Sequence, residues 1–154
     1  MTRRRQLSAA ACVFGAVVLS GCVTPATNDA TYEHKVELSA QAAASGVASA
    51  RLAVTTWLDH RIAGTYLEVV VVDAESAVGA VSDTFVSIEA PQTSDSASLR
   101  ARTSKALAAA EDALTELRIA VRHSDRPAVA RQQQQLTAVA HDLETLATQA
   151  DRAS

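Results

Sequence analysis

The feature that most constrains the fold of this chain is a repeat of small and apolar residues at alternating intervals of four and three positions. One segment shows it most clearly, with Val36, Ala40, Ala43, Val47, Ala50, Val54 and Trp57 in series. Because an α-helix turns once in 3.6 residues, this spacing places the whole series along one side of a helix. Proline and glycine number only 3 and 5 among 154 residues, so few positions interrupt such helices. The pattern therefore predicts an all-α fold.

The same periodicity recurs in four segments that are separated by helix-breaking residues. We predict helices over about 31–62, 66–90, 97–123 and 126–151. Long helices joined by short turns favour an antiparallel up-down-up-down four-helix bundle. A pair of long hairpins that completes its core by dimerising is a competing architecture with the same periodicity, so a homodimer remains open.

Specific residues predict where these helices begin and end. Gly64 suits the C-terminal cap of the first helix, and Pro91 stops the second. A residue within 94–96 is expected to cap the third helix, and Pro127 suits the first turn of the fourth.

The buried side of each later helix follows from the same spacing. On the second helix the predicted stripe is Leu67, Val70, Ala74, Ala77, Val81, Thr84 and Ile88, widened by Val71, Val78 and Phe85. On the fourth helix Gln132 falls within the stripe, where a buried amide can fix the register of neighbouring helices.

The first 22 residues carry a different pattern. Arg3, Arg4 and Arg5 precede an uncharged, mostly apolar run at 7–19, whose 13 residues suit a signal peptide and are too few to span a bilayer. The run ends in Leu19, Ser20, Gly21 and Cys22, which resembles the lipobox of bacterial lipoproteins. The resemblance implies that a diacylglyceryl group is attached to the Cys22 sulfur and that the chain is cut between Gly21 and Cys22.

This resemblance divides the chain into three parts. We expect a lipoprotein signal peptide at 1–21, a lipidated flexible tether at 22–30 and the helical domain at 31–152. The mature protein would be held by its lipid on the extracytoplasmic face of the cell membrane. Cleavage removes three arginines and no acidic residue, which changes the formal charge from −3 to −6. A chain this acidic lacks the basic face that nucleic acid binding requires.

Several segments of the mature chain resemble small lipoproteins of high-GC Gram-positive bacteria, in which a lipobox precedes four helices. These segments are Tyr32-Glu33-His34-Lys35, the run at 71–75, the run at 84–91 and the run at 114–120. The resemblance implies the same fold and a place in the cell envelope. The group has no assigned activity, so the resemblance implies no catalytic residue.

Motifs that would indicate catalysis or a cofactor are missing from the sequence. No glutamate is followed three positions later by histidine, as di-iron bundles require, and no Cys-x-x-Cys-His haem motif occurs. Glycine-rich phosphate loops, zinc-protease helices and nucleophile elbows are also missing. We therefore expect a protein that is not an enzyme, with no catalytic residues, no metal and no cofactor.

The candidate functional residues gather at one end of the predicted bundle, far from the lipid. They are Trp57, His60, Arg61, Tyr66, Arg122 and His123, with Arg118 and Arg126 close by. Tryptophan, tyrosine and arginine dominate protein interfaces, which favours a contact surface for another envelope protein. The alternative is a sensor that binds a small ligand or a metal at this end, and a merely solubilising role for the arginines stays open. We thus expect a non-enzymatic interaction or structural module.

Replacement of Cys22 tests the N-terminal interpretation. Without the thiol no thioether to diacylglycerol can form, so Cys22→Ala should leave an unlipidated chain that retains residues 1–21. Intact mass spectrometry and detergent partitioning of the wild-type and variant chains measure this difference. Cys12→Ala is the matched control and should be processed normally. Equal mass and partitioning of the Cys22→Ala and wild-type chains would contradict the lipid anchor.

Overall fold

The computed structural model describes residues 28–154, and within this range the chain forms four α-helices and no strand. They are α1 (Asp29–Leu58), α2 (Gly64–Ser87), α3 (Ser94–Arg122) and α4 (Arg126–Ala153). The prediction of an all-α fold is confirmed, and the four helices are compatible with a four-helix bundle. Leu19, Ser20, Gly21 and Cys22, with the whole predicted signal peptide, lie outside the described residues.

Helix α1 packs against all three other helices, whereas α2 and α4 do not touch within the described range. Two sets of hydrogen bonds define the ends of the molecule. At one end, which we call the Asp29 end, Asp29 Oδ1 accepts from Ser96 Oγ at 2.7 Å. At the other, which we call the Trp57 end, the Arg126 guanidinium donates to the Leu58 carbonyl. No helix among residues 28–154 is both long enough and apolar enough to cross a membrane.

The predicted buried side of α1 is confirmed. Val36, Ala40, Ala43, Val47, Ala50 and Val54 are fully buried, and Trp57 at the end of the series is half-buried against the core. The small residues allow α1 and its neighbours to approach closely. At Gly46 a Cβ atom would lie only 3.0 Å from Val78 Cγ2, so the contact between α1 and α2 depends on a missing side chain.

The predicted buried side of α2 is wrong at Ala77 and Thr84, whereas the residues predicted to widen it, Val71, Val78 and Phe85, are fully buried. Ala77 and Thr84 are exposed, while their neighbours Val78 and Phe85 are fully buried. Each pair offers the core a choice between a small or polar side chain and a larger apolar one, and burial of the larger one removes more apolar surface from water. The buried stripe of α2 is therefore rotated towards the larger side chains.

The end of α1 also differs from the prediction. The helix ends at Leu58 rather than near residue 62, and His60 adopts a left-handed conformation with φ of 59°. The N–H of Arg61 donates to the Thr56 carbonyl at 3.0 Å, which completes a Schellman cap. The expected cap at Gly64 is wrong, because His60 already closes the helix and Gly64 is the first residue of α2.

The end of α3 repeats this turn. Ser124 has φ of 53°, and the N–H of Asp125 donates to the Ala120 carbonyl at 3.0 Å. The left-handed conformation costs a residue with a side chain about 1–2 kcal/mol. His60 and Ser124 are the two such residues in the described range, and both close a helix at the Trp57 end.

The connection between α2 and α3 also begins earlier than predicted, because α2 is shorter. Helix α2 ends at Ser87 instead of near residue 90: Ile88 has an extended backbone, and the Arg100 guanidinium donates to the carbonyls of Val86 and Ile88. Helix α3 is capped by Thr93, whose Oγ1 accepts from the N–H of Ser96 at 3.2 Å. The expected cap within 94–96 is therefore wrong by one to three residues.

Two glycines in helix interiors allow a matched test of the packing. A Cβ at Gly79 would meet no atom within 4 Å, so Gly79→Ala should raise the free energy of unfolding by about 0.5–1 kcal/mol through reduced chain entropy. At Gly46 the same gain should be cancelled or reversed by the contact with Val78. Urea unfolding followed by circular dichroism measures both changes. Equal stabilisation by the two substitutions would show that α1 and α2 are less closely packed.

Candidate functional site

The six candidate residues occupy the two turns at the Trp57 end and the helix termini beside them. Trp57 lies in the last turn of α1, His60 and Arg61 in the turn that follows, Tyr66 in the first turn of α2, and Arg122 and His123 at the end of α3. Arg118 lies one turn earlier on α3. The structure therefore brings the α1–α2 turn and the α3–α4 turn to a common end, where Trp57 and His60 share Arg126 as a partner.

Trp57 is held in place by an arginine from α4. The Arg126 guanidinium carbon lies 5.1 Å from the centroid of the Trp57 ring, and the same guanidinium donates to the Leu58 carbonyl. This carbonyl is among the last of α1 and has no partner within the helix, so Arg126 both covers the indole and caps α1. The sequence predicted that Arg126 lies at this end, but it did not predict the contact with Trp57.

The two histidines at this end have different surroundings. His60 is exposed, and its Nε2 lies 3.2 Å from an Arg126 nitrogen. Because a guanidinium only donates, this hydrogen bond requires the lone pair of Nε2, which a metal ion would also need. His123 is exposed, and its ring has no hydrogen-bond partner in the described part of the chain. Across residues 28–154 no three or more histidine, cysteine, aspartate or glutamate side chains are grouped to hold a metal ion.

A groove opens between the two turns. It is lined by Trp57, Gly64, Thr65, Glu68, Val121, Arg122 and Ser124. Trp57 Nε1 lies 3.6 Å from the position that a Cβ on Gly64 would take, and this N–H has no acceptor in the described part of the protein. Arg122 Nε is 4.0 Å from Glu68 Oε1, and both side chains are largely exposed, so the pair is weak. The groove thus offers one unused N–H donor and one cation held only weakly.

Arg61 and Tyr66 stand on the outer surface of the same end. Arg61 forms an exposed ion pair of 2.9 Å with Asp59, two residues earlier in the turn. Tyr66 is 58% exposed. Neither residue lines the groove, so the predicted set divides into Trp57 and Arg122, which share the groove, and residues around its rim.

Arg118 connects two helices and does not belong to the groove. Its Nε lies 2.6 Å from Glu75 Oε2 on α2, and Thr115 Oγ1 donates to the other carboxylate oxygen at 2.8 Å. Burial alone would raise the pKa of Glu75, but the hydrogen bonds from Arg118 and Thr115 outweigh it and lower the pKa. The pair therefore stabilises the fold at neutral pH, and its contribution is lost as the pH falls through the pKa of Glu75.

Substitution of Arg126 tests how the end of α1 is held. Arg126→Ala removes the cover of the indole and the cap of α1, so the free energy of unfolding should fall by about 1–2 kcal/mol. Trp57 is the only tryptophan in the chain, and its fluorescence should shift to the red as water reaches the ring. The exposed Arg131 of α4 gives the control, Arg131→Ala, which should change neither quantity. Unchanged emission in Arg126→Ala would show that the guanidinium does not shield Trp57.

Comparison with known proteins places the chain in no family. No protein-family model matches it, and searches of curated proteins and of solved structures found no match either. The likeness to small lipoproteins of high-GC Gram-positive bacteria therefore stays a prediction.

Proposed function

We propose that this protein is a lipid-anchored lipoprotein of the cell envelope whose helical domain binds another envelope protein without catalysing a reaction. The anchor rests on the sequence Leu19-Ser20-Gly21-Cys22 behind a basic and then apolar leader. A lipidated Cys22 would hold the domain on the extracytoplasmic face of the membrane. The proposal includes a structural role in the envelope, since such a role would need the same anchor and the same contact surfaces.

We also propose that the helices run up-down-up-down, which three contacts support. Asp29 with Ser96 joins the starts of α1 and α3. Arg102 donates to Gln149 at 3.0 Å, which pairs the first turns of α3 with the last turns of α4. Arg126 with Leu58 pairs the start of α4 with the end of α1. The last two contacts pair the start of one helix with the end of another, and the first pairs two starts, as expected of α1 and α3 when they run in the same direction.

This course gives the anchored domain a direction. Six residues separate Cys22 from Asp29, so the Asp29 end would lie next to the membrane. Helix α1 has 30 residues and a length of about 45 Å at 1.5 Å per residue. The Trp57 end would then stand about 45 Å from the bilayer surface, within reach of other proteins.

The observation that carries a binding role is the unused indole N–H of Trp57 beside Arg122 in an open groove. This N–H is open to water, so a carbonyl or carboxylate of a partner would replace a water molecule and contribute a net of about 0.5–1.5 kcal/mol. Tryptophan and arginine are also the side chains that most often carry binding energy at interfaces. The groove is therefore the proposed contact site.

The same two donors also favour a second candidate, a sensor for a small anionic ligand. Such a ligand would fill the groove with a carboxylate or phosphate between Trp57 Nε1 and Arg122. It should raise the melting temperature of the purified full chain by mass action, and Arg122→Ala should abolish that rise. Citrate and inorganic phosphate are suitable probes for this measurement.

Photo-crosslinking in intact cells tests the main proposal. A photoreactive residue in place of Thr65, in the groove, should capture one discrete envelope protein, identified by mass spectrometry. The same residue in place of the exposed Ser98, near the start of α3, is the control and should not capture it. The Arg122→Ala change should reduce the yield at position 65. Equal, diffuse labelling from both positions would contradict a partner at the Trp57 end, and capture of a second copy would identify a homodimer.

A further inference from the structure

Four large apolar side chains are exposed on α2 and α3 next to the groove. Tyr66, Val69, Val72 and Ile119 are 58%, 57%, 44% and 41% exposed. The three residues of α2 are three positions apart, which brings them onto neighbouring strips of one side of the helix. Single exposed apolar residues are ordinary, but a group of this kind marks a contact surface.

Two contacts set the apolar residues of α2 and α3 at the same level. Val72 lies between Glu68 and Glu75 along α2, and Ile119 lies between Arg118 and Arg122 along α3. These flanking residues contact each other, with Arg118 at 2.6 Å from Glu75 and Arg122 at 4.0 Å from Glu68. Val72 and Ile119 thus lie at one level on neighbouring helices, on either side of the two Glu–Arg pairs, and we call the exposed set Tyr66, Val69, Val72 and Ile119 the valine face.

The charges around the valine face are acidic and unpaired. Asp73, Asp112 and Glu116 are exposed and form no ion pair within residues 28–154. Asp73 follows Val69 by four positions, and Glu116 precedes Ile119 by three, so each lies beside the apolar residues. Helix α2 carries four acidic residues and no basic one. Of the nearby arginines, Arg118 is paired with Glu75, and Arg122 lies 4.0 Å from Glu68 in a weak pair, so acidic residues outnumber basic ones around the face.

This charge pattern selects among the surfaces that could cover the valine face. A second copy would bring the same acidic residues against one another, and an anionic bilayer would also present negative charge. Like charges across an interface oppose association, whereas opposite charges favour it and speed the encounter. The complementary surface is apolar and flanked by lysine or arginine.

We propose that the valine face binds a basic amphipathic helix of another protein, which places apolar side chains on Val69, Val72 and Ile119. Its lysines or arginines would reach Asp73 and Glu116. An amphipathic helix presents both features at the spacing that these residues require. The inference rests on the proposed role of the domain in protein binding, but it requires neither the groove nor the lipid anchor.

Binding of two designed peptides to the full chain with Cys22→Ala tests this proposal. Both peptides are amphipathic helices with the same stripe of leucines. Lysines flank the stripe in one peptide, and glutamates flank it in the other. The lysine peptide should bind, as measured by fluorescence anisotropy, and the glutamate peptide should bind at least tenfold more weakly. Because the chain lacks its lipid site, failure here is separate from failure of the anchor or of crosslinking at position 65.

Variants of the face localise the binding. The double change Val69→Ser and Val72→Ser should weaken the lysine peptide about tenfold or more, because two apolar contacts are lost. Asp73→Asn with Glu116→Gln should weaken it about threefold at low salt and reduce its salt dependence. Leu38→Ser with Leu52→Ser, at exposed leucines of α1, is the control and should leave binding unchanged. Circular dichroism confirms that each variant is folded.

Three results would overturn the proposal. The first is equal binding of the two peptides, and the second is binding that the valine substitutions leave unchanged. The third is a different occupant: a dimer in sedimentation, or adsorption to phosphatidylglycerol vesicles, that Val69→Ser with Val72→Ser abolishes. Tight lysine-peptide binding that depends on both the valines and the acids is the result that supports it.

Discussion

The close approach of α1 to its three neighbours is the constraint on which the rest of this structure depends. Its inner side carries alanine and valine, and at Gly46 no side chain at all, so the helices meet over a thin core. In a thin core the side chains have little room to move aside, and a methyl group added at Gly46 would contact Val78. Within residues 28–154 the buried polar side chains are Ser96 and Thr103, and the candidate functional residues lie at one end of the helices.

The periodicity of small residues was sufficient to predict the all-α fold and the buried side of α1. It was not sufficient for α2, because Val70 and Val71, or Ala77 and Val78, satisfy the same spacing and only the neighbouring helices decide between them. Helix ends were less predictable still. Glycine is the usual residue for a left-handed cap, yet His60 takes that conformation and leaves Gly64 to begin α2. Local propensity here yields to the geometry of the whole turn.

The location of the candidate site could be predicted because it follows from which helix ends share a turn. Its internal contacts could not, because they join residues far apart in the chain. Nothing in the sequence distinguishes Arg126, which covers Trp57, from Arg131, which is exposed. The run of four valines at 69–72 indicated that some valines of α2 are exposed. It could not indicate which ones, because four consecutive residues cover both the buried and the exposed side of a helix. The exposure of Val69 and Val72 is decided by how α2 rotates against α1 and α3.

The two left-handed turns at His60 and Ser124 have a consequence for how the molecule fluctuates. Conformational strain lowers the free energy needed to open the surrounding segment, and both strained residues belong to the Trp57 end. At the opposite end, Asp29 accepts hydrogen bonds from Thr93 and Ser96 and thereby ties the first turns of two helices together. The turns at His60 and Ser124 should therefore open locally at a lower free energy than unstrained turns of the same length. The groups proposed to contact a partner thus lie beside the two left-handed turns of the described chain.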